Sequence, residues 1–407
     1  MLMRTQLKNK KLIAIIFVAV QVLALYGLVQ AFQSPIYGQL IKGPYLSWSG
    51  ANLDPNAYNT TMTISWRTSE IESGFVDYGR TIGSMTRIAE NNSGVQHSIR
   101  LMGLQPNTTY YYSVGNGISM TQDYQFTTMA TLPPLVRFCA YGDTRPPNSH
   151  NAQVVQLMIE QNPEFWLHVG DLVGNGGTLE QWNTFLDEIK PLSAYSPFMP
   201  TIGNHEYYGE ATNEPVTYKQ IFALPGDEST YAFTVGDILF LALNTQVDYL
   251  WMPGHAMTPQ EFAFANQTLF DNYQKFRWII VFFHYPAYSS GGMDGDVIKQ
   301  VRWLTSRYDV NLVLNGHVHN YERFNVPNNV TGNTNITYVV TGGGGAPLDP
   351  ATETPIQYSQ IYRSTYEYTY YEVNATKITC KTVDINNNII DSWSMAVKDR
   401  STLASHW

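Results

Sequence analysis

The sequence predicts two folded units, an all-β sandwich over residues 41–130 and an α/β two-sheet sandwich over residues 135–397. Three observations carry this. Short alternating strands broken by turn residues fill the first stretch, Pro133-Pro134 closes it, and apolar strands then alternate with segments of helical spacing. The 407 residues suffice for two or three domains with real cores.

Ahead of the sandwich, Arg4, Lys8, Lys10 and Lys11 precede the apolar run 12–29, and Val29-Gln30-Ala31 offers a small-residue cleavage site. Residues 1–31 therefore read as a secretory signal peptide or, uncleaved, as a membrane anchor of roughly 18 to 20 residues. Either reading places the remainder outside the cytoplasm, secreted or anchored. Seven Asn-x-Ser/Thr sequons, at Asn59, Asn91, Asn107, Asn266, Asn329, Asn335 and Asn374, fit a glycoprotein there, although an Asn- and Thr-rich chain also makes sequons by chance. Cys139 and Cys380 are the only cysteines; they lie in apolar or alternating strands, where buried free thiols and a disulfide both remain open.

In the first unit, TMTISWRT (61–68), SGFVDYG (73–79) and TTYYYSVGN (108–116) alternate as strands, with Trp66 as a core aromatic. In the second, strands are expected at 136–141, 165–169, 197–202, 277–283, 311–314 and 336–341, and helices at 151–161, near 178–192, 258–273 and 296–308. The net charge of -9 argues against nucleic-acid binding, and an anionic substrate would need local cations.

Five strand ends of the second unit run straight into metal-ligating residue types. AYGDTR supplies Asp143, HVGDL supplies Asp171, IGNHE supplies Asn204, His205 and Glu206, VFFHYP supplies His284, and LNGHVHNYER supplies His317 and His319. Loops at the carboxyl ends of such strands converge, so ligands far apart in sequence can share one site. Glycines 142, 170, 203 and 316 precede four of the five and are expected to allow sharp turns. Two carboxylates, one amide and three imidazoles exceed the demand of one four-coordinate ion, which favours two ions bridged by a carboxylate. On an extended backbone His317 and His319 would point the same way and each reach a different ion. His168, His255 and His406 have no motif around them and read as core or surface histidines, and Gly342 to Gly345 as a flexible turn beside the centre rather than a phosphate cradle.

The order GD, GD, GNHE, VxxH, GHxHxYER resembles the calcineurin-like metallophosphoesterases, and within them the purple acid phosphatases, over roughly residues 41–397. LQPNTTYYYSVG is similar to the tyrosine-corner segment of fibronectin type III domains, which the purple acid phosphatases carry at their N-terminus. The resemblance implies a four-layer α/β/β/α catalytic fold. It implies Asp171 bridging two divalent or trivalent ions (Fe, Zn or Mn), Asp143 and His319 on the first, and Asn204, His284 and His317 on the second. His205 would face the substrate and protonate or stabilise the leaving oxygen, with Glu206 beside it to orient the ring. The implied activity is an extracytoplasmic, dinuclear-metal-dependent phosphoesterase, in which a metal-bound hydroxide attacks a small phosphorylated substrate in line.

Two positions depart from the pattern. Gly174 stands where the purple enzymes carry their colour-giving tyrosine, so no tyrosinate charge-transfer band is expected in the visible spectrum. Arg145 stands where the wider superfamily has a histidine ligand. Asn175 or His150 could complete the first site, and Arg145 either clamps a phosphate oxygen or forms a structural ion pair. Arg323 is expected to be structural, with Glu322 as a partner. The competing function is a surface binding or envelope module that keeps the phosphatase fold but little catalysis.

Overall fold

The computed structural model describes residues 40–400 except 117–118, 148, 213, 247–256, 292–295, 333 and 351–353. The expected leader or anchor at residues 1–31, and His255 and His406, lie outside the described residues. No described helix is long and apolar enough to cross a membrane.

The first unit is a β-sandwich of a three-stranded and a four-stranded sheet. Met62–Glu72 pairs antiparallel with Leu40–Ser47 on one side and Gly94–Leu101 on the other. The facing sheet runs Ser84–Ala89, Phe75–Thr81, Thr109–Gly115, Tyr124–Thr127. Alternation puts Ile64, Trp66, Tyr112 and Val114 between the sheets, and Trp66 is fully buried as its context predicts. Tyr110 turns its hydroxyl back to accept from the Gln105 N–H at 2.9 Å, the hydrogen bond of a tyrosine corner. Of the sequon asparagines, Asn91, Asn107, Asn329 and Asn335 are exposed, but Asn59 is buried in the short helix Ala57–Thr60 and is closed to glycosylation once the chain has folded.

The second unit stacks two sheets. One runs Phe198–Pro200, Phe165–His168, Leu135–Tyr141, Glu367–Asn374, Lys377–Asp384, Ile389–Ala396. The other runs Tyr231–Val235, Ile238–Ala242, Trp278–Phe282, Leu312–Asn315, Asn335–Thr341, Tyr321–Pro327, Ser359–Arg363. Pleating sorts the second sheet's side chains into two cores. Phe240, Ile280, Phe282, Leu312 and Leu314 face the first sheet, where Phe240 meets Phe138 and Phe165 edge-on at 5.5 and 5.3 Å. Leu239, Leu241, Ile279, Val281 and Val313 face the opposite way, onto Ala265 and Leu269 of helix Pro259–Asn272 and Val301 and Leu304 of helix Asp296–Arg307. Helices Asn151–Glu160 and Leu179–Ser193 pack against the first sheet through Val154, Met158, Trp182 and Phe185. This is the α/β/β/α layering that the resemblance implies.

The sandwich is locked onto the second unit. Trp48 packs between Phe165 and Phe233, Tyr45 Oη donates to the Ile221 carbonyl at 2.6 Å, and Tyr112 Oη donates to the Ala194 carbonyl at 2.7 Å. Cys139 and Cys380 are both buried and free. Arg323 is structural as expected, but its partner is Asp391, which it meets at 2.7 Å. Glu322 instead accepts from Ser290 and from Ser359, the first residue of the neighbouring edge strand.

Candidate metal centre

Central parallel strands of both sheets end at the same edge, and their loops meet there. The Asp143 N–H donates to the Gly170 carbonyl, the Thr144 N–H to the Asp171 carbonyl and the Gly316 N–H to the His284 carbonyl, all at 3.0 Å, so the loops are stitched together directly. The preceding glycines are needed mainly for space rather than for turning. Only Gly170 has a left-handed φ, at +96°; a Cβ on Gly203 would lie 2.2 Å from Asp171 Oδ1, and one on Gly316 would lie 2.4 Å from Asp143 Oδ2. The sharp turn falls on the ligands themselves. Asp143, Asp171 and His317 have φ of 61°, 57° and 69°, which is uncommon for side chains with a Cβ and typical of strain held at functional sites.

His317 and His319 consequently do not lie on an extended strand. They occupy the loop between Leu312–Asn315 and Tyr321–Pro327, and the left-handed backbone at His317 separates the two rings. The two rings nevertheless fall in different groups of potential ligands. Ligating atoms of Asp171, His284 and His317 lie within 4.8 Å of one another, as do those of Asp143, Asp171 and His319. Asp171 belongs to both groups, which is the bridging place.

The group with Asp143 and His319 is the aspartate position, and the group with His284 and His317, completed by Asn204, is the amide position. At the amide position, Asn204 Oδ1 lies 3.1 Å from both His284 Nε2 and His317 Nδ1, and His284 Nε2 lies 3.2 Å from Asp171 Oδ1. The His284 Nδ1–H donates to the Val169 carbonyl at 2.9 Å, which leaves Nε2 with a lone pair. The Asn204 amide is fixed because its Nδ2 donates to Tyr208 Oη at 2.8 Å, which turns Oδ1 inward. An imidazole nitrogen, an amide oxygen and a carboxylate oxygen thus converge, a donor set that suits a cation in place of the ring proton.

At the aspartate position, Asp143 Oδ2 accepts from the His317 N–H at 2.8 Å, while Oδ1 is buried with no hydrogen-bond partner, 3.5 Å from His319 Nε2. The His319 ring is oriented by donation from Nδ1 to the Pro347 carbonyl at 2.6 Å, and its N–H donates to Asp349 at 2.8 Å. An orphaned buried carboxylate oxygen facing an imidazole lone pair again suits a cation.

The electrostatics describe the same need. Burial pushes Asp143 up to about 8, with Asp171 adding to the effect. Burial pulls the other way on His284, but Asp171 and Asp143 outweigh it and raise the ring to about 9. Asp171 is held well below the usual carboxylate range because His284, His205 and Arg145 overcome its burial. Protons here stand in for missing positive charge, and a bound ion would reverse the shift at Asp143. His168 shows the contrast. It is fully buried, lowered to about 3 chiefly by burial, and accepts from the Gly170 N–H at 3.2 Å, so it braces the turn as a neutral core histidine.

His205 lies at the rim of the cluster. Its Nδ1–H donates to the Gly174 carbonyl at 2.6 Å, its ring rests on Tyr208, and Nε2 points inward, 3.7 Å from Asp171 Oδ2. Gly174 thus acts through its backbone carbonyl, as the acceptor that fixes the His205 ring. Glu206 does not orient this ring. It is fully buried and accepts from the backbone N–H groups of Asp171, Leu172 and Gly203 at 2.9, 2.8 and 2.6 Å, tying two ligand loops together. It is a positioning residue. Glu206→Ala would strand at least three buried N–H groups, and a loss of at least about 3 kcal/mol is expected, read as a lower denaturation midpoint together with weaker metal binding.

Neither proposed replacement ligand reaches the centre. His150 bonds Gln153 beside Tyr366, and Asn175 Oδ1 accepts from Thr178. The glycine run beside the centre is not a flexible turn either: residues 341–345 are buried, and the Gly344 N–H donates to the Gly142 carbonyl at 2.9 Å. The sequence reading missed Tyr208, Asp349 and the Pro347 carbonyl. Tyr208 follows Asn204 by one turn in NHEYY, a spacing that could have marked it; Asp349 has no motif at all.

Comparison with known proteins agrees with this geometry. The calcineurin-like phosphoesterase family matches residues 136–321, and the purple acid phosphatase N-terminal domain matches residues 45–128. Acid phosphatase type 7 of Mus musculus is 25% identical over 388 residues, covering 81% of this chain and 86% of the mouse protein. Two Arabidopsis thaliana proteins, probable purple acid phosphatase 20 and purple acid phosphatase 23, are each 27% identical over 65% and 62% of this chain. The alignments span 66% and 63% of those plant proteins, slightly under two thirds of their length. Among solved structures, a purple acid phosphatase from yellow lupin superposes with a TM-score of 0.73 at 21% identity, covering 87% of this chain and 74% of the lupin chain. GAP50, the anchor in the inner membrane complex of Plasmodium, shares the fold at a TM-score of 0.54 and 18% identity, over 67% of this chain and 93% of its own. Motifs, fold and ligand geometry agree: this chain carries a calcineurin-like phosphoesterase domain behind a purple acid phosphatase N-terminal domain.

Proposed function

We propose that the protein is a dinuclear-metal-dependent phosphoesterase that acts outside the cytoplasm on small phosphate esters. The observation that carries this reading is the sharing of Asp171 between two buried ligand groups, one completed by Asp143 and His319 and the other by His284 and His317. Asn204 joins the second group through Oδ1. The mixed imidazole, carboxylate and amide donors suit Fe, Zn or Mn. Bound cations there supply Lewis acidity for the attacking water and for the phosphoryl oxygens.

The chain's own residues do the rest. His205, with Nδ1 committed to the Gly174 carbonyl, presents Nε2 to the leaving oxygen and delivers its proton there. Arg145, part-buried beside His205, holds a phosphoryl oxygen through its paired N–H groups once the cluster is loaded. Tyr208 and the Pro347 carbonyl keep the Asn204 amide and the His319 imidazole in ligating orientation. The basic-then-apolar N-terminal segment and the exposed sequons at Asn91, Asn107, Asn329 and Asn335 support the extracytoplasmic location.

The test is hydrolysis of p-nitrophenyl phosphate by the full chain after chelator dialysis and again after adding Mn or Zn. Turnover lost on stripping and restored by metal supports the proposal, and turnover indifferent to metal contradicts it. A catalytically weak surface binding or envelope module is the second reading, favoured by Arg145 standing among the ligands; it would show little turnover under any metal.

A further inference from the structure

The proposed function uses Arg145 once the cluster is loaded, but it does not explain the position its guanidinium takes among the ligands. In sequence it stands where the wider superfamily carries a histidine ligand, and in space its guanidinium is inside the aspartate position. Nη2 contacts His319 Nε2, Nη1 lies 2.7 Å from His205 Nε2, and Nε lies 3.7 Å from Asp171 Oδ2. The two Nη atoms make these hydrogen bonds, while Nε is buried with no hydrogen-bond partner. A left-handed backbone, φ 43°, turns the side chain inward. Among the described residues, no other Lys or Arg hydrogen-bonds or ion-pairs with the six ligand side chains.

We propose that Arg145 is a built-in competitor for the metal at the aspartate position. Its guanidinium satisfies Asp171 and His319 until an ion displaces it, so the two positions load in order, the amide position first and tightly, the aspartate position second and weakly. The asymmetry has a simple cause. Among the described residues no guanidinium or ammonium lies against Asn204, His284 or His317, whereas an ion entering beside Asp143 must move the guanidinium that already contacts His319 and lies 3.7 Å from Oδ2 of the shared Asp171. The displaced guanidinium remains next to His205, where it is free to take a phosphoryl oxygen. The inference rests on the dinuclear reading, and the test separates the two.

The test is equilibrium dialysis of the chelator-stripped full chain against graded Mn2+, with bound metal counted by mass spectrometry and spin coupling followed by electron paramagnetic resonance. The wild-type chain is expected to bind one ion with an isolated Mn2+ signal, then a second at a concentration about tenfold or more higher, with an exchange-coupled signal. Arg145→Ala and Arg145→Gln should both bring the second step down by about tenfold and leave the first step in place. His319→Ala should delete the second step alone, which assigns that step to the aspartate position. A second step unmoved or weakened in both Arg145 variants, or two ions loading together in the wild type, overturns the competitor and leaves the dinuclear centre standing. A chain that binds no manganese and no zinc overturns both.

Discussion

Asp171→Asn is expected to strip metal from both positions and to lower phosphate ester hydrolysis by about 10³-fold or more, because one carboxylate serves both ligand groups. The substitution keeps the side chain's shape, and Asn Oδ1 can still accept from the His205 N–H that lies 3.0 Å from Asp171 Oδ1. The fold is therefore expected to survive, with the loss confined to charge. Metal content, kcat/KM on p-nitrophenyl phosphate and the thermal midpoint of the same preparation check this together. His317→Ala provides a graded comparison: it removes a ligand from the amide position only, and the aspartate position keeps its own three. Either variant turning over at the wild-type rate would contradict the assignment.

His205→Ala is the second large effect, and its size should depend on the leaving group. An alkoxide needs a proton as it departs, so loss of the acid should cost roughly 10²- to 10⁴-fold on an alkyl phosphate. A nitrophenolate leaves without one and should be affected far less. The pH dependence follows from the ring's surroundings. Burial lowers the His205 pKa below 6.5; Asp171 opposes the shift and Arg145 reinforces it. The protonated acid therefore exists on the acid side of that value and is lost as pH rises through it. The wild-type rate on an alkyl phosphate should fall by about tenfold per unit above that pKa, and this limb should be absent in His205→Ala. An equal loss on both substrates, or an unchanged basic limb, would assign His205 to structure instead.

Much of this site could be read before the fold was seen, for identifiable reasons. Asp143, Asp171, Asn204, His284 and the His317/His319 pair each follow an apolar run that could only be a buried strand, so convergence of their loops is a consequence of sheet topology. What escaped notice depends on partners that carry no sequence signature. Glu206 is spent on backbone N–H groups of loops remote in sequence, Asp349 reaches His319 from the far side of the glycine run, and the Gly174 carbonyl holds His205 with an atom every residue possesses.

Backbone conformation was the other blind spot. GHVHNY has the i, i+2 spacing of a strand, yet φ of 69° at His317 bends it into a loop, and the strain falls on Asp143, Asp171 and His317 rather than on three of the four preceding glycines. Close approach, not turn geometry, makes alanine unacceptable at Gly203 and Gly316. Arg323 illustrates the same limit outside the site. Its structural role was legible from the adjacent Glu322, but register placed Asp391 beside it and turned Glu322 toward Ser290. Buried Asn59 likewise carries a sequon that only the fold disqualifies.

The most direct measurement is anomalous diffraction from crystals of the full chain soaked in millimolar Mn2+ or Zn2+, a concentration high enough to load both positions. The account predicts two peaks about 3.5 to 4 Å apart, one on each side of Asp171, the first against Asn204, His284 and His317 and the second against Asp143 and His319 with the Arg145 guanidinium displaced. An empty cluster at that concentration, or ions bound only elsewhere on the chain, would contradict it.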